Sequence, residues 1–114
     1  MEHEERNESI RLKMLDEISD IETFLSDRSV SDVLTDKMCQ KAIVMSLINI
    51  GELSKSFTEN YLSTMPGIPW KSIRGFRNIA VHQYSIIEFE DVYKTVTEDI
   101  PLLKVTLEKR GEME

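Results

Sequence analysis

The chain has 114 residues, with 14 Lys and Arg against 21 Asp and Glu, a formal net charge of −7. At 40% hydrophobic and 31% charged residues it is too apolar for a disordered polyelectrolyte, yet no run approaches the roughly 18 apolar residues of a membrane span. Cys39 is the only cysteine, which excludes a disulfide scaffold and fits a reducing, cytoplasmic setting, and the acidic Met1–Arg11 stretch does not read as a secretory signal.

This length predicts one domain over 1–114, with the polar ends 1–8 and 110–114 frayed. A domain this small buries only about 60–65% of its unfolded surface, so dimerisation is a natural way to gain more. In chain order, Ile10, Met14, Ile18, Ile21 and Leu25 step by 4, 4, 3 and 4, the stripe of an amphipathic helix from about Ser9 to Ser26. Ser31 or Asp32 can cap a second helix, expected over Val33–Tyr61. Its middle, Ala42–Ile50, is apolar nearly all round and should be buried. Gly51 inside it costs about 1 kcal/mol against Ala, which a close helix crossing would explain.

The cluster Pro66-Gly67-Ile68-Pro69 marks a loop. A third helix should start at Pro69 and run to about His82. Ser85 and Glu88 fit a capping box ahead of a fourth helix carrying Phe89, Val92, Val96, Ile100, Leu103 and Leu107. Pro101 should kink it, or split it near Asp99. The prediction is all-α: an antiparallel, up-and-down four-helix bundle.

The chemistry concentrates in one window. Asn60 to Ile87 holds no Asp or Glu, and Lys71, Arg74 and Arg77 give it a formal +3 within an acidic chain. Such an island suits a local phosphate or nucleic-acid contact, unless acids on neighbouring helices neutralise it. At about 100° per residue, Arg74, Asn78 and His82 share a strip, whereas Arg77 and His82 lie about 140° apart. If both serve one site, the helix ends near His82 or a second copy completes the site. A His moves protons near neutral pH, and an Arg holds a phosphate. No metal-ligand spacing, Gly-rich phosphate loop or paired-cysteine motif occurs, so no cofactor is implied. Cys39, in an apolar segment, reads as a buried hydrophobe. Trp70 and Phe76 read as packing residues rather than base-stacking platforms, and Glu52 either pairs with Lys55 or steadies Arg77.

Arg77-Asn78-Ile79-Ala80-Val81-His82-Gln83-Tyr84 matches Arg-x4-His-x-Tyr, with Ile50-Gly51-Glu52, Lys55, Pro69-Trp70 and Arg74-Gly75 in order ahead of it. In these residues the chain resembles HEPN-domain proteins of the HepT toxin type. The resemblance implies a homodimeric, metal-independent endoribonuclease in a toxin–antitoxin system. Arg77 and His82 would be the catalytic pair at the dimer cleft, attacking RNA through its 2′-hydroxyl. Asn78, Arg74 and Glu52 would support them or bind substrate. The antitoxin would be a minimal nucleotidyltransferase of MNT type, transferring AMP onto Tyr84. The alternative is a non-catalytic helical scaffold that binds a nucleotide or that partner enzyme, toward which the net charge of −7 leans.

Overall fold

The computed structural model describes residues Glu2–Met113, and all its regular structure is helical. Four main rods form the bundle: α1 (Glu2–Leu25), α3 (Lys37–Ser54), α5 (Trp70–Gln83) and a last rod of α6 (Phe89–Lys94), a π turn (Thr95–Asp99) and α7 (Ile100–Glu112). Two short helices, α2 (Val30–Leu34) and α4 (Glu59–Ser63), sit in the connections flanking α3. The four-helix, all-α expectation therefore holds for the main rods.

The single long helix expected over 33–61 is corrected to three pieces. Local hydrogen bonding decides this. Asp36 breaks away to cap α3, its side chain accepting from the Cys39 amide at 3.1 Å. Thr58 likewise caps α4, accepting from the Tyr61 amide at 3.2 Å. Short polar side chains offer the backbone an alternative to continuing a helix, and apolar periodicity does not register it. The cap of α2 is Ser29 rather than Ser31 or Asp32, with Asp32 reaching back to the Ser29 amide as its capping-box partner. The capping box expected at Ser85–Glu88 does not form: Ser85 lies in a 3₁₀ turn, Tyr84–Ile86, and Glu88 precedes α6 without a side-chain cap.

Pro101 acts as expected, through the turn before it. It has no N–H for the Thr97 carbonyl and its ring crowds that group, and the chain widens into the π turn that ends at Asp99. The ends are more ordered than their polarity suggests. α1 starts at Glu2 and buries Asn7, whose amide exchanges two hydrogen bonds with Thr58, each 3.2 Å. Met1 and Glu114 lie outside the described residues.

The core is one cluster. Met14, Ile18 and Ile21 of α1, Ile43 and Ile50 of α3, and Leu103 and Leu107 of α7 are all but fully buried. Cross-links order the rods: Asn49 bonds Glu17 at 3.3 Å and the Cys39 thiol faces the Phe24 carbonyl at 3.5 Å, so α1 and α3 run antiparallel. Lys104 bonds Glu22 at 2.8 Å, and Arg11 donates to the Leu107 carbonyl at 3.1 Å, so α7 is antiparallel to α1. Stacked Phe57 and Tyr61, with Trp70 edge-on to Phe57, anchor the Pro/Gly loop, and the Trp70 indole N–H donates to the Met65 carbonyl. Trp70 and Phe76 thus pack as the sequence indicates.

α5 is the outermost rod. Only Ala80 on it is fully buried, with Ile73 and Phe76 half-buried against the core. It crosses α3 at Gly51, where a built Cβ would come 2.6 Å from the Ile73 carbonyl oxygen. That contact is with backbone, so neither side can turn aside. Gly51→Ala should cost about 1–3 kcal/mol of stability, as overpacking does. Gly67→Ala, at a loop position with open space around it, should stay within about 0.5 kcal/mol. Denaturant midpoints of the two variants check this; equal midpoints would refute the close crossing.

Candidate active site

α5 follows Pro69 and carries no carboxylate, and its apolar residues Ile73, Phe76 and Ala80 face the core. Lys71, Arg77, Asn78 and His82 are left on exposed positions. At Gln83 the backbone leaves helical geometry (φ −132°, ψ 24°) and tightens into the turn at Tyr84. His82 therefore stands in the last turn of α5, still inside the helix that carries Arg77.

Glu52 leaves α3 one residue after the Gly51 crossing and faces α5. Its Oε1 lies 2.9 Å from Lys55 Nζ and 3.7 Å from Arg77 Nε. Both readings of Glu52 made from sequence are realised on one oxygen. The three side chains are about half exposed, so the pairs contribute at most about 1 kcal/mol each. Their consequence is directional: Glu52 approaches Arg77 from its Nε side, and no hydrogen bond engages the guanidinium's two terminal nitrogens among the described residues. Those nitrogens form the fork that grips a phosphate.

Arg74 is placed differently. One terminal nitrogen donates to the Ser54 carbonyl at the end of α3 (3.3 Å), the other lies 3.8 Å from Glu59, and its Nε is sealed from solvent without a partner. It satisfies the end of α3, as basic side chains at helix C-termini do. The strip of Arg74, Asn78 and His82 is thus divided. Asn78, His82 and Tyr84 are exposed, Tyr84 at 41%, and no side-chain hydrogen bond engages them among the described residues. The acid-free window is acid-free along the chain and not in space, because Glu52 and Glu59 reach it from either side. Sequence reasoning missed Glu59, and it read the Glu52–Lys55 pair from its spacing of three without placing Lys55 at the site.

The arrangement offers an anion grip and an exposed imidazole on one helix and an exposed phenol in the turn that follows it. No three His, Cys, Asp or Glu gather into a metal-binding group among the described residues. No helix among them is long and apolar enough to cross a membrane.

A family model described as "Ribonuclease HepT-like" matches residues 14–110. A protein of Thermococcus cleftensis named as a probable ribonuclease HepT is 37% identical over 89 residues, covering 78% of this chain and 81% of that one. Two proteins of Methanocaldococcus jannaschii named as candidate RNases are 32% and 33% identical over 95 and 88 residues. They cover 83% and 77% of this chain and 87% and 73% of their own lengths. No solved structure matches the chain at a comparable level of significance.

Cys39 stands apart from this site. Burial pushes its thiol above the ordinary value, and only the thiolate is a good nucleophile. Iodoacetamide at neutral pH should alkylate it slowly in the folded protein and readily once unfolded, as followed by intact mass. Rapid labelling of the folded chain would contradict its burial.

Proposed function

The chain belongs to the HepT-like ribonuclease family, and we propose that it is a metal-independent endoribonuclease acting at Arg77 and His82. The observation that carries this reading is the half-exposed Arg77, held at one edge by Glu52 with its fork open, on the same helix as an unengaged His82. RNA supplies its own nucleophile. The 2′-oxygen attacks phosphorus as its proton leaves, and the bond to the 5′-oxygen breaks. The products are a 2′,3′-cyclic phosphate and a 5′-hydroxyl. His82 serves as general base for the first proton or general acid for the leaving oxygen. Arg77 neutralises the charge that builds on the non-bridging oxygens. Asn78 supports the phosphate or orients His82, and Arg74 keeps the α3 end in place beneath them.

Arg77 and His82 are about 140° apart around α5, which argues for a homodimer in which each copy completes the other's site. Ile79, Val81 and Met45 are more than half exposed and supply apolar surface for such a partner. In this reading the chain is the cytoplasmic toxin of a toxin–antitoxin pair. A nucleotidyltransferase antitoxin transfers AMP onto Tyr84, whose exposed hydroxyl is open to it. The adduct would bring negative charge and bulk to the phosphate site. A scaffold role has one observation in its favour: Arg74 and Arg77 already face carboxylates of the same chain.

RNA cleavage should proceed with chelator present. Arg77→Ala and His82→Ala should each lower it by at least about 100-fold; full activity in both variants would refute the assignment. Expression of the chain alone should arrest growth in a His82-dependent manner, whereas a scaffold would not. Mass spectrometry of the chain co-expressed with a nucleotidyltransferase partner should find one AMP on Tyr84, absent in Tyr84→Phe.

A further inference from the structure

Gly75 sits in the middle of α5, and a Cβ built on it would meet nothing within 4 Å. Its φ is negative, so no left-handed geometry calls for glycine. A glycine inside a helix is less favourable than alanine, and a close approach by another group is the usual reason for keeping one. At Gly51 that group is the Ile73 carbonyl. At Gly75 no described part of the chain supplies it, which leaves the helix backbone there open to a group from outside.

The neighbours of Gly75 indicate what that group is. Lys71, Gly75, Asn78 and His82 step by 4, 3 and 4 and fall within an arc of about 60°, a row about 16 Å long. Lys71, Asn78 and His82 are exposed and without side-chain partners among the described residues. The row carries a cation, an amide and an imidazole and no carboxylate of its own, while Glu52 and Glu59 reach Arg77 and Arg74 beside it. Charge and hydrogen-bonding capacity both suit a sugar–phosphate backbone.

We propose that this row is the track of the RNA strand, with Gly75 as the point where the strand rests directly on the helix backbone. The proposal builds on the ribonuclease reading and adds the substrate's path to it. Lys71 holds a phosphate neighbouring the scissile one, and the absent side chain at Gly75 lets the strand lie low enough to meet both Lys71 and the Asn78–His82 end.

The test uses the full chain in a non-cleaving His82→Ala background, with a fluorescently labelled single-stranded RNA of mixed sequence read by anisotropy. Gly75→Leu should weaken binding by about tenfold or more, and Gly75→Ala by less. Lys71→Gln should reduce the slope of log affinity against log salt by about 0.7, one phosphate contact on a single strand. Gly75→Ala should keep or raise the thermal midpoint, and light scattering should show the parent's oligomeric state for every variant. Unchanged binding by Gly75→Leu overturns the track. So does a loss of binding that appears only with loss of the oligomer, which would put a second copy at Gly75. If the unmodified chain cleaves no RNA, the ribonuclease reading itself fails; cleavage intact with Gly75→Leu binding unchanged rejects the track alone.

Discussion

The close crossing of α3 and α5 governs the arrangement of this protein. Two helices carrying ordinary side chains pack 8–10 Å apart, and the missing Cβ of Gly51 lets the α5 backbone come nearer at Ile73. Everything attributed to the site follows from that contact. It sets Glu52 beside Arg77, and it brings Arg74 to the terminal carbonyls of α3. The residues that bury α3 and the residues that orient the guanidinium are consecutive in sequence, so packing and site geometry cannot vary independently.

The electrostatics of α5 illustrate how an acidic protein can present a cationic face. The carboxylates are excluded from one window of sequence and return from neighbouring elements as Glu52 and Glu59. Glu52 lies 3.7 Å from Arg77, too far for a good hydrogen bond and near enough to bias its orientation. A closer, bidentate pair would have occupied the fork that a phosphate needs. Lys55 draws the same carboxylate oxygen the other way at 2.9 Å. Arg74 is spent on structure, so two cations in the same helix have opposite assignments for reasons of position alone.

A second tie holds the start of α1 to the end of α7. Arg11 is buried between α1 and α7, paired with Glu8 and donating to the Leu107 carbonyl. A Cβ at Gly111 would overlap its guanidinium at 2.5 Å. Together with Asn7 and Thr58, this fixes the ends of α1 and α7 around the loop that leads into α5. The polar N-terminal residues thus serve the position of the site-bearing helix, through hydrogen bonds rather than apolar burial.

Apolar spacing made the helical class, the four main rods and the loop at Pro66–Pro69 legible in the sequence, because periodicity records which face of a rod must leave water, and a family motif supplied the candidate residues of the site. Helix ends were less legible. Ser29, Asp36 and Thr58 took caps that several nearby polar residues could have taken, and Ser85, with equal local credentials, did not. Competing caps differ by amounts that tertiary contacts easily outweigh. The partners of Arg74, Arg77, Arg11 and Asn7 were decided only by folding. They lie between 15 and 96 residues apart or, as with Glu8 and Arg11, matter only once buried, and no local rule reports where a distant backbone will pass. The chemistry of the site was thus written in the residue types, while which cation stays open to a ligand was settled by the distance between two helices.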